Sequence, residues 1–185
     1  MTDFKIRIEN IVASASLNVV IPLEKIVSKL EGMEYEPEQF PGLVYRMDKP
    51  KAAALIFGSG KIVCTGARSI TDVKIVFKKV VKIVEAVRVK VPKVYKMQVE
   101  NIVASAKLDG KLNLDKIAFD LENSEYEPEQ FPGLVYRMES PKVAFLLFGS
   151  GKVVCTGGRS VNDVRIAVDK LNKRLRQLKG ALIKE

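Results

Sequence analysis

The alternation of apolar and polar residues along the chain predicts several β-strands. From residue 4 to residue 17, side chains rich in isoleucine and valine alternate with polar ones, a spacing of two that is typical of a half-buried strand. Residues 43–47, 52–57 and 61–65 have the same character. Gly58-Ser59-Gly60 lies between the last two runs and predicts a tight hairpin turn. Strands joined by such turns form an antiparallel sheet.

A different spacing predicts two helices in the first half of the chain. Apolar residues recur every three or four positions in 23–30, and Pro22 just before them suits the first turn of a helix. The same period extends over 70–84, so this segment is predicted as a long amphipathic helix despite its many valines. Ser69 followed by Asp72 matches a helix-capping pattern at its start.

The chain contains this arrangement twice, with an offset of 91 positions. The letters YEPEQFPGLVYRM occur at 35–47 and again at 126–138. The motif NIVASA begins at Asn10 and at Asn101, and FGSGK and CTG recur with the same offset. In the second copy, Asn113 precedes the shorter helix pattern and suits an N-cap. A constant offset means that no insertion separates the two copies.

The duplication predicts two similar units, 1–92 and 93–185, packed as a pseudo-twofold pair. Each unit is predicted as strand, helix, three strands, helix, so the fold class is α+β with an antiparallel sheet. Two helices per unit cover only one face of such a sheet. The other face is therefore either a second hydrophobic interface or a surface for a partner.

Strand alternation selects the residues of this uncovered face. They are apolar or neutral polar, and the choice of sides includes no carboxylate. In the first copy they are Asn10, Val12, Leu55, Phe57, Val63 and Thr65. In the second copy they are Asn101, Val103, Leu146, Phe148, Val154 and Thr156. From alternation alone, core packing is the simpler interpretation of such residues.

Aromatic residues at turns and nearby cations favour a partner surface instead. Four phenylalanines lie beside turn glycines: Phe40, Phe57, Phe131 and Phe148. Basic residues flank them in sequence: Arg46, Lys61, Arg68, Arg137, Lys152 and Arg159. The net charge of +9 also raises the odds of a polyanionic partner. An apolar surface that holds amide and hydroxyl groups and is edged by cations matches the DNA minor groove.

At this point the chain resembles the TATA-box-binding proteins, and among these the archaeal type. The two direct repeats and the motifs NIVAS, FPGLVYRM, FGSGK and VCTG-x-RS carry the resemblance over nearly the whole chain. It implies a saddle, with a curved ten-stranded antiparallel sheet and four helices on the convex face. It also implies a general transcription initiation factor that binds the minor groove of TATA-box promoter DNA and kinks it.

The resemblance implies a role for each residue type of the uncovered face. Phe40 with Phe57, and Phe131 with Phe148, wedge between base steps at the two ends of the site. The asparagines and threonines donate hydrogen bonds to groove acceptors, and the valines and leucines press on sugars and base edges. The six cations named above hold phosphates, helped by two turn serines, Ser59 and Ser150.

The resemblance further implies a protein partner. In the family, the loop formed here by Glu127, Pro128, Glu129 and Gln130 contacts transcription factor B, which recruits RNA polymerase. The first copy has the same letters at 36–39, so the sequence leaves the orientation of binding open. Plain solvated loops are the alternative for both segments. Whether the free protein forms a weak homodimer through its uncovered sheet is also left open.

An enzyme is the main rival class, and the sequence argues against it. There is no histidine, and the two cysteines, Cys64 and Cys155, are copies of one position without metal-ligand spacing. Gly58-Ser59-Gly60-Lys61 is followed by Ile62 and lacks the hydroxyl residue of a phosphate-binding loop. We therefore expect no catalytic residue, metal or cofactor. A duplicated sheet that binds RNA or a small molecule is the remaining alternative.

The location of the protein is predicted from what the sequence lacks. No apolar run approaches the length of a membrane span, and no signal peptide is visible at the start. The expectation is a cytoplasmic protein associated with the nucleoid.

Overall fold

The computed structural model describes residues 4–183. The elements of the first half are β1 (Arg7–Ser16), α1 (Leu23–Lys29), β2 (Met33–Glu34), β3 (Leu43–Asp48), β4 (Lys51–Ile56), β5 (Lys61–Ala67) and α2 (Ile70–Ala86). Those of the second half are β6 (Met97–Lys107), β7 (Lys111–Leu112), α3 (Leu114–Asp120), β8 (Ser124–Glu125), β9 (Leu134–Glu139), β10 (Lys142–Leu147), β11 (Lys152–Gly158), α4 (Val161–Gln177) and β12 (Leu182–Ile183).

Ten of these strands belong to one antiparallel sheet, and β7 and β12 pair separately. Together with the four helices of the described residues, this confirms the α+β class and the ten strands that the resemblance implied.

The chain divides into two compact units. One unit is Asn10–Glu100, in which the strand order is β2-β3-β4-β5-β1. The other unit combines the segment before Asn10 with the chain from Asn101 onward, and its order is β6-β11-β10-β9-β8. The repeat limits at 1–92 and 93–185 stay a prediction.

Side-chain caps begin the helices where the sequence predicts them. The backbone N–H of Asp72 donates to Ser69 Oγ at 3.0 Å, and the N–H of Asp163 donates to Ser160 Oγ at the same distance. The Asn113 side chain accepts from the N–H of Lys116 at 3.1 Å. These bonds satisfy donors that a helix leaves unpaired in its first turn. None of the helices in residues 4–183 is long and apolar enough to span a membrane.

The core of each unit lies between its helices and one face of its strands. In the first unit, α2 buries Val76, Phe77 and Val80 and packs against β4 and β5. On the sheet side, Ile11 and Cys64 are completely buried. In the second unit α4 packs against β11 in the same way. Every second residue of these strands is therefore removed from water, as the alternation predicts.

The two units fill equivalent core positions with side chains of exchanged size. Phe77 of α2 corresponds by the 91-residue offset to Val168 of α4, whereas Ala54 of β4 corresponds to Phe145 of β10. All four side chains are buried. The large ring comes from the helix in one unit and from the sheet in the other. Cores tolerate substitutions that conserve total volume, which explains how two diverged copies keep one fold.

The predicted boundaries differ from the observed ones in three places. The first strand begins at Arg7 rather than near residue 4. Helix α1 begins at Leu23, so Pro22 occupies the cap position and not the first turn. The two-residue strands β2, β7, β8 and β12 were absent from the pattern-based prediction, because two residues are too few to show a period.

Candidate functional site

The residues predicted for the uncovered face lie on the side of the strands opposite the helices. In β5, Ile62 and Cys64 are buried, whereas Val63 and Thr65 between and beyond them are only half-buried. In the second unit, Val154 and Thr156 are likewise half-buried beside the buried Cys155. The same alternation holds for the other predicted members: Asn10, Val12, Leu55, Phe57, Asn101, Val103, Leu146 and Phe148 are all half-buried. These side chains keep surface accessible to solvent and do not belong to the packed core.

A β-bulge orients the asparagine of the first unit. Ile11 pairs with Ala67 and Ala13 pairs with Cys64, so two residues of β5 face the single residue between Ile11 and Ala13. One of the two is Gly66, whose φ of +90° suits glycine. Its N–H donates to Asn10 Oδ1 at 2.6 Å. The amide oxygen of Asn10 is therefore occupied by the sheet.

The second unit repeats this bulge. Cys155 pairs with Ala104 and Gly158 pairs with Ile102. Gly157, with a φ of +99°, donates its N–H to Asn101 Oδ1 at 2.6 Å. The Asn101 NH₂ group donates one hydrogen to Thr156 Oγ1 at 3.3 Å. With the oxygen held by the backbone, its second N–H is the part of the amide left to meet a partner, and it can only donate.

Two pairs of phenylalanines lie at the turns beside the strands. The ring centroids of Phe40 and Phe57 are 5.7 Å apart with an interplanar angle of 70°, and those of Phe131 and Phe148 are 6.0 Å apart at 72°. Both are edge-to-face arrangements, which the aromatic quadrupole favours. The rings of Phe40 and Phe131 keep 39% and 41% of their surface exposed. Such exposure is unusual for a large aromatic side chain.

Two glycines, Gly42 and Gly133, leave room for these ring pairs. The sequence pattern did not indicate this role. A Cβ on Gly42 would lie 2.7 Å from Phe40 Cε1 and 3.0 Å from Phe57 Cε1. A Cβ on Gly133 would lie 2.7 Å from Phe131 Cε1. The motif Phe-Pro-Gly reads as a turn, but in the structure its glycine gives room to two rings. Only the fold brings the second ring, from another strand, against it.

Four of the predicted cations lie at the ends of β5 and β11, and the two others lie within β3 and β9. They are Arg46, Lys61, Arg68, Arg137, Lys152 and Arg159, all exposed. The two serines, Ser59 and Ser150, are exposed in the hairpin turns, and Ser150 Oγ accepts from the Lys152 N–H at 3.3 Å. Arg46 has a carboxylate neighbour, because its Nε lies 3.7 Å from Glu34 Oε1. Both members of this pair are about two-thirds exposed or more, so water weakens the attraction.

Carboxylates from neighbouring strands reach two serines on the side of the uncovered face. Ser14 Oγ donates to Glu100 Oε1 at 2.6 Å within the first unit. Ser105 Oγ donates to Glu9 Oε1 at 2.7 Å within the second. The serines share the side of Val12 and Val103 by alternation, and the glutamates come from a different strand. Alternation along one strand does not reveal what a neighbouring strand brings to its face.

The two acidic loops have the same backbone geometry. In the first, the N–H groups of Gln39 and Phe40 both donate to the Glu36 carbonyl at 2.9 Å. In the second, those of Gln130 and Phe131 both donate to the Glu127 carbonyl at 3.0 Å. The predicted loop residues Glu127, Pro128, Glu129 and Gln130 are all exposed. Each loop therefore places its acidic side chains in solvent beside a phenylalanine pair.

The cysteines do not contribute to this surface. Burial raises the pKa of Cys64 to about 11, with the nearby Asp72 carboxylate as a smaller cause and a backbone hydrogen bond at Ala67 opposing. Burial raises the pKa of Cys155 to about 12. Both thiols are protonated near pH 7 and unreactive. Across residues 4–183, no group of three cysteine, aspartate or glutamate side chains is arranged to hold a metal ion.

Comparison with known proteins identifies the family. The family model for transcription factor TFIID, or TATA-binding protein, matches residues 5–87 and 96–178, once for each repeat. The chain belongs to the TATA-binding protein family. A protein of this family is a transcription factor and not an enzyme.

Individual relatives support this assignment along nearly the whole chain. The TATA-box-binding protein of Methanothermobacter thermautotrophicus is 54% identical over 178 residues, which cover 96% of this chain and 98% of the relative. That of Archaeoglobus fulgidus is 52% identical over 180 residues, with 96% and 98% covered. The solved structure of Methanococcus jannaschii TBP matches with a TM-score of 0.87 at 48% identity, covering 93% of this chain and 98% of that one. The archaeal resemblance is therefore confirmed.

The role of glycine at the ring pairs is open to test. We expect Gly133→Ala to change the separation of the Phe131 and Phe148 rings, because the new methyl group would meet the Phe131 ring well inside contact distance. Gly149→Ala is the matched control, because the nearest atom to its new Cβ is Leu112 O at 3.8 Å. Aromatic nuclear Overhauser effects between the two rings report the separation. Effects of wild-type strength in Gly133→Ala would show that this glycine does not control the pair.

Proposed function

We propose that this chain is a general transcription initiation factor that binds TATA-box promoter DNA in the minor groove, kinks it with its paired phenylalanines and recruits transcription factor B. One observation carries the DNA-binding part. On a surface of half-buried valines, Asn10 and Asn101 have their amide oxygens tied to glycine N–H groups. Each asparagine is left as a fixed donor on a surface that is otherwise mostly apolar.

Fixed donors suit the floor of an A·T-rich minor groove. Adenine N3 and thymine O2 are both acceptors, so neither base pair orientation is rejected. Guanine adds an N2 amino group, which is a donor that would project into the packed valines and would face the asparagine N–H with a second donor. Donors of fixed direction therefore favour A·T over G·C. The hydrogen bond from a glycine N–H to the asparagine oxygen occurs once in each repeat. Each repeat therefore carries one half of the proposed DNA site, which we call a half-site.

The ring pairs suit a wedge between base steps. Unstacking one base step costs about a few kcal/mol, and burial of exposed aromatic surface offsets this cost. Phe40 and Phe131 have that exposed surface, and their edge-to-face partners Phe57 and Phe148 support them from the sheet. The flexible TA step lowers the cost of unstacking, which is a second reason to favour TATA sequences.

The exposed cations supply the part of binding that does not depend on sequence. Lys61 and Lys152 lie beside the turns that follow Phe57 and Phe148, and Arg68 and Arg159 lie at the opposite ends of strands β5 and β11. Cations in this position contact phosphates on the groove walls, and the release of counterions makes the affinity depend on salt. The serine hydroxyls of the turns add neutral phosphate contacts.

The acidic loop of the second repeat is proposed to bind transcription factor B, through which RNA polymerase is recruited. Its glutamates are exposed, and a tight turn closes on the Glu127 carbonyl. Carboxylates placed there repel phosphates, so a basic protein surface is the more suitable partner. The loop at 36–39 has the same backbone hydrogen bonds as this loop, so variants in it serve as a matched control for the partner contact.

The central test of the proposal compares two duplexes at one salt concentration. We expect tight binding to a TATA duplex and binding weaker by about 30-fold or more when two central A·T pairs are replaced by G·C, since each wrong pair costs about 1–3 kcal/mol. A gel-shift titration measures both. Equal affinities for the two duplexes would refute minor-groove readout, and tighter binding to RNA would favour an RNA-binding module.

The wedge is tested by Phe148→Ala, with Phe119→Ala as control. Phe119 is an exposed phenylalanine on α3, 85% accessible and outside the proposed site. We expect Phe148→Ala to reduce the DNA bend, measured by energy transfer between dyes at the duplex ends, and to lower affinity by about 30-fold, as for a large aromatic anchor. The control should bend DNA as the wild type does. A wild-type bend in Phe148→Ala would eliminate the wedge.

The partner loop is tested by charge reversal in one repeat at a time. We expect Glu127→Lys with Glu129→Lys to abolish the ternary complex with transcription factor B on TATA DNA while DNA binding persists. The same exchange at Glu36 and Glu38 should leave the complex intact. Native gels with purified factor B separate the binary and ternary species. Loss of the complex only in the Glu36 and Glu38 variant would assign the partner to the other loop.

A further inference from the structure

A strongly basic groove lies in the second unit. Two adjoining cavities, of about 780 and 400 Å³, share Lys107 and Ser150 in their walls. We call the two cavities together the basic groove. Its cationic lining includes Lys5, Lys107, Lys111, Lys152, Arg176 and Lys179.

Two lysines of the groove lie directly opposite each other in the sheet. Lys107 of β6 pairs with Lys152 of β11, and both are exposed. By alternation they lie on the side of Val103 and Val154, the uncovered face. Like charges in directly opposed positions are unfavourable for a sheet. The fold itself therefore gives no reason for this pair, whereas an anion between the two ammonium groups would remove the repulsion.

The position of Lys107 connects the groove to the phenylalanine wedge. Its Nζ donates to the carbonyl of Ser150. Ser150 belongs to the turn that follows Phe148, and the N–H of Gly151 in that turn donates to the Phe148 carbonyl at 2.9 Å. A cation held at this turn lies next to the end of the proposed half-site. The groove continues from there along β7 and the end of α4.

Two carboxylates near the groove lie beside arginines. Asp109 Oδ2 lies 3.6 Å from Arg176 Nη2, and Glu9 Oε1 lies 3.6 Å from Arg7 Nε. Glu9 also accepts from Ser105, which lines the smaller cavity. Among the described residues, neither Lys107 nor Lys152 has a carboxylate within salt-bridge distance. Positive charge is therefore left over at the place nearest to Phe148.

The first unit has different residues at the corresponding positions. Counting back by the 91-residue offset, Lys107 becomes Ser16, Lys111 becomes Val20 and Arg176 becomes Glu85. The pair that corresponds to Lys107 and Lys152 is Ser16 with Lys61, which has a single charge. The asymmetry lies in these surface residues, and the duplicated motifs do not show it.

We propose that the basic groove binds backbone phosphates of the DNA that flanks the base step wedged by Phe131 and Phe148. The inference rests on the proposed function and extends it: the second repeat holds more flanking DNA than the first. Phosphate contacts carry no sequence information, so the effect depends on whether flanking duplex is present. When DNA extends from only one end of the site, the groove selects the orientation that places the second repeat at that end.

A palindromic TATA core with a duplex flank on one side tests this selection. The core alone offers two equivalent orientations, so any preference reports the flank. An iron chelate attached through Glu38→Cys, in the exposed loop of the first repeat, cleaves DNA near that repeat. We expect cleavage mainly at the end without the flank. Buried Cys64 and Cys155 are protected from the labelling reagent.

Exchange of residues between the repeats supplies the variants. Lys107→Ser with Lys111→Val gives the second repeat the residues of the first, and we expect cleavage at both ends alike. Affinity for the flanked duplex should fall by about threefold for each phosphate that the variant no longer binds, with a salt slope smaller by about one to two.

The reciprocal change, Ser16→Lys with Val20→Lys in the exchanged protein, should move cleavage to the flanked end. Thermal unfolding verifies that the variants fold, and removal of the opposed lysines should not lower the melting temperature.

The outcomes separate this inference from the proposed function. If the wild type does not distinguish TATA from G·C duplexes, the proposed function fails. If it binds TATA tightly but cleaves both ends of the flanked palindrome equally, only the groove is refuted. Wild-type cleavage by the Lys107 and Lys111 variant would also refute it, and the groove would then belong to an acidic protein surface instead.

Discussion

Each repeat has helices for only one face of its antiparallel strands, and the rest of the structure depends on this constraint. The buried side of β5, with Ile62 and Cys64, packs under α2 and supplies the apolar burial that holds the unit together. The opposite side contains side chains of similar type that no helix of the unit covers. In most proteins such a surface would be a liability. Here half-buried valines share that side with an asparagine whose amide oxygen is tied to the backbone. This uncovered surface is the one that we propose for a partner with an apolar floor and acceptor atoms.

Precision in this site comes from irregularities in the sheet. A regular ladder would direct Asn10 outward with both ends of its amide free. The bulge at Gly66 inserts one residue and turns a backbone N–H toward the asparagine oxygen. Gly42 affects the rings in another way: it has no side chain at the place where two phenylalanines meet. Both glycines act through their missing Cβ. Gly66 adopts a left-handed φ, and Gly42 leaves space for the rings.

The two repeats share a fold and the residues of the uncovered face, but they differ in other surface charges. Their cores compensate internally, since the large ring comes from α2 in one unit and from β10 in the other. Selection on total core volume permits such exchanges. Surface charges are under no such restriction, and they have diverged most clearly around Lys107 and Lys152. A duplicated protein can therefore keep equivalent residues on the uncovered side of both repeats while the charges at its ends become different.

The sequence alone determined the repeat, the helices with their caps at Ser69 and Asn113, and the sides on which the strand residues lie. All of these depend on local periods and on neighbours within a few positions. The tertiary structure decided that the backbone holds the oxygen of each asparagine amide, that Gly42 and Gly133 leave room for the ring pairs, and that Glu9 and Glu100 reach the serines of the uncovered face. It also brought Lys107 opposite Lys152. These features depend on strand register, which pairs residues far apart in the chain, and a single inserted bulge residue changes every partner beyond it.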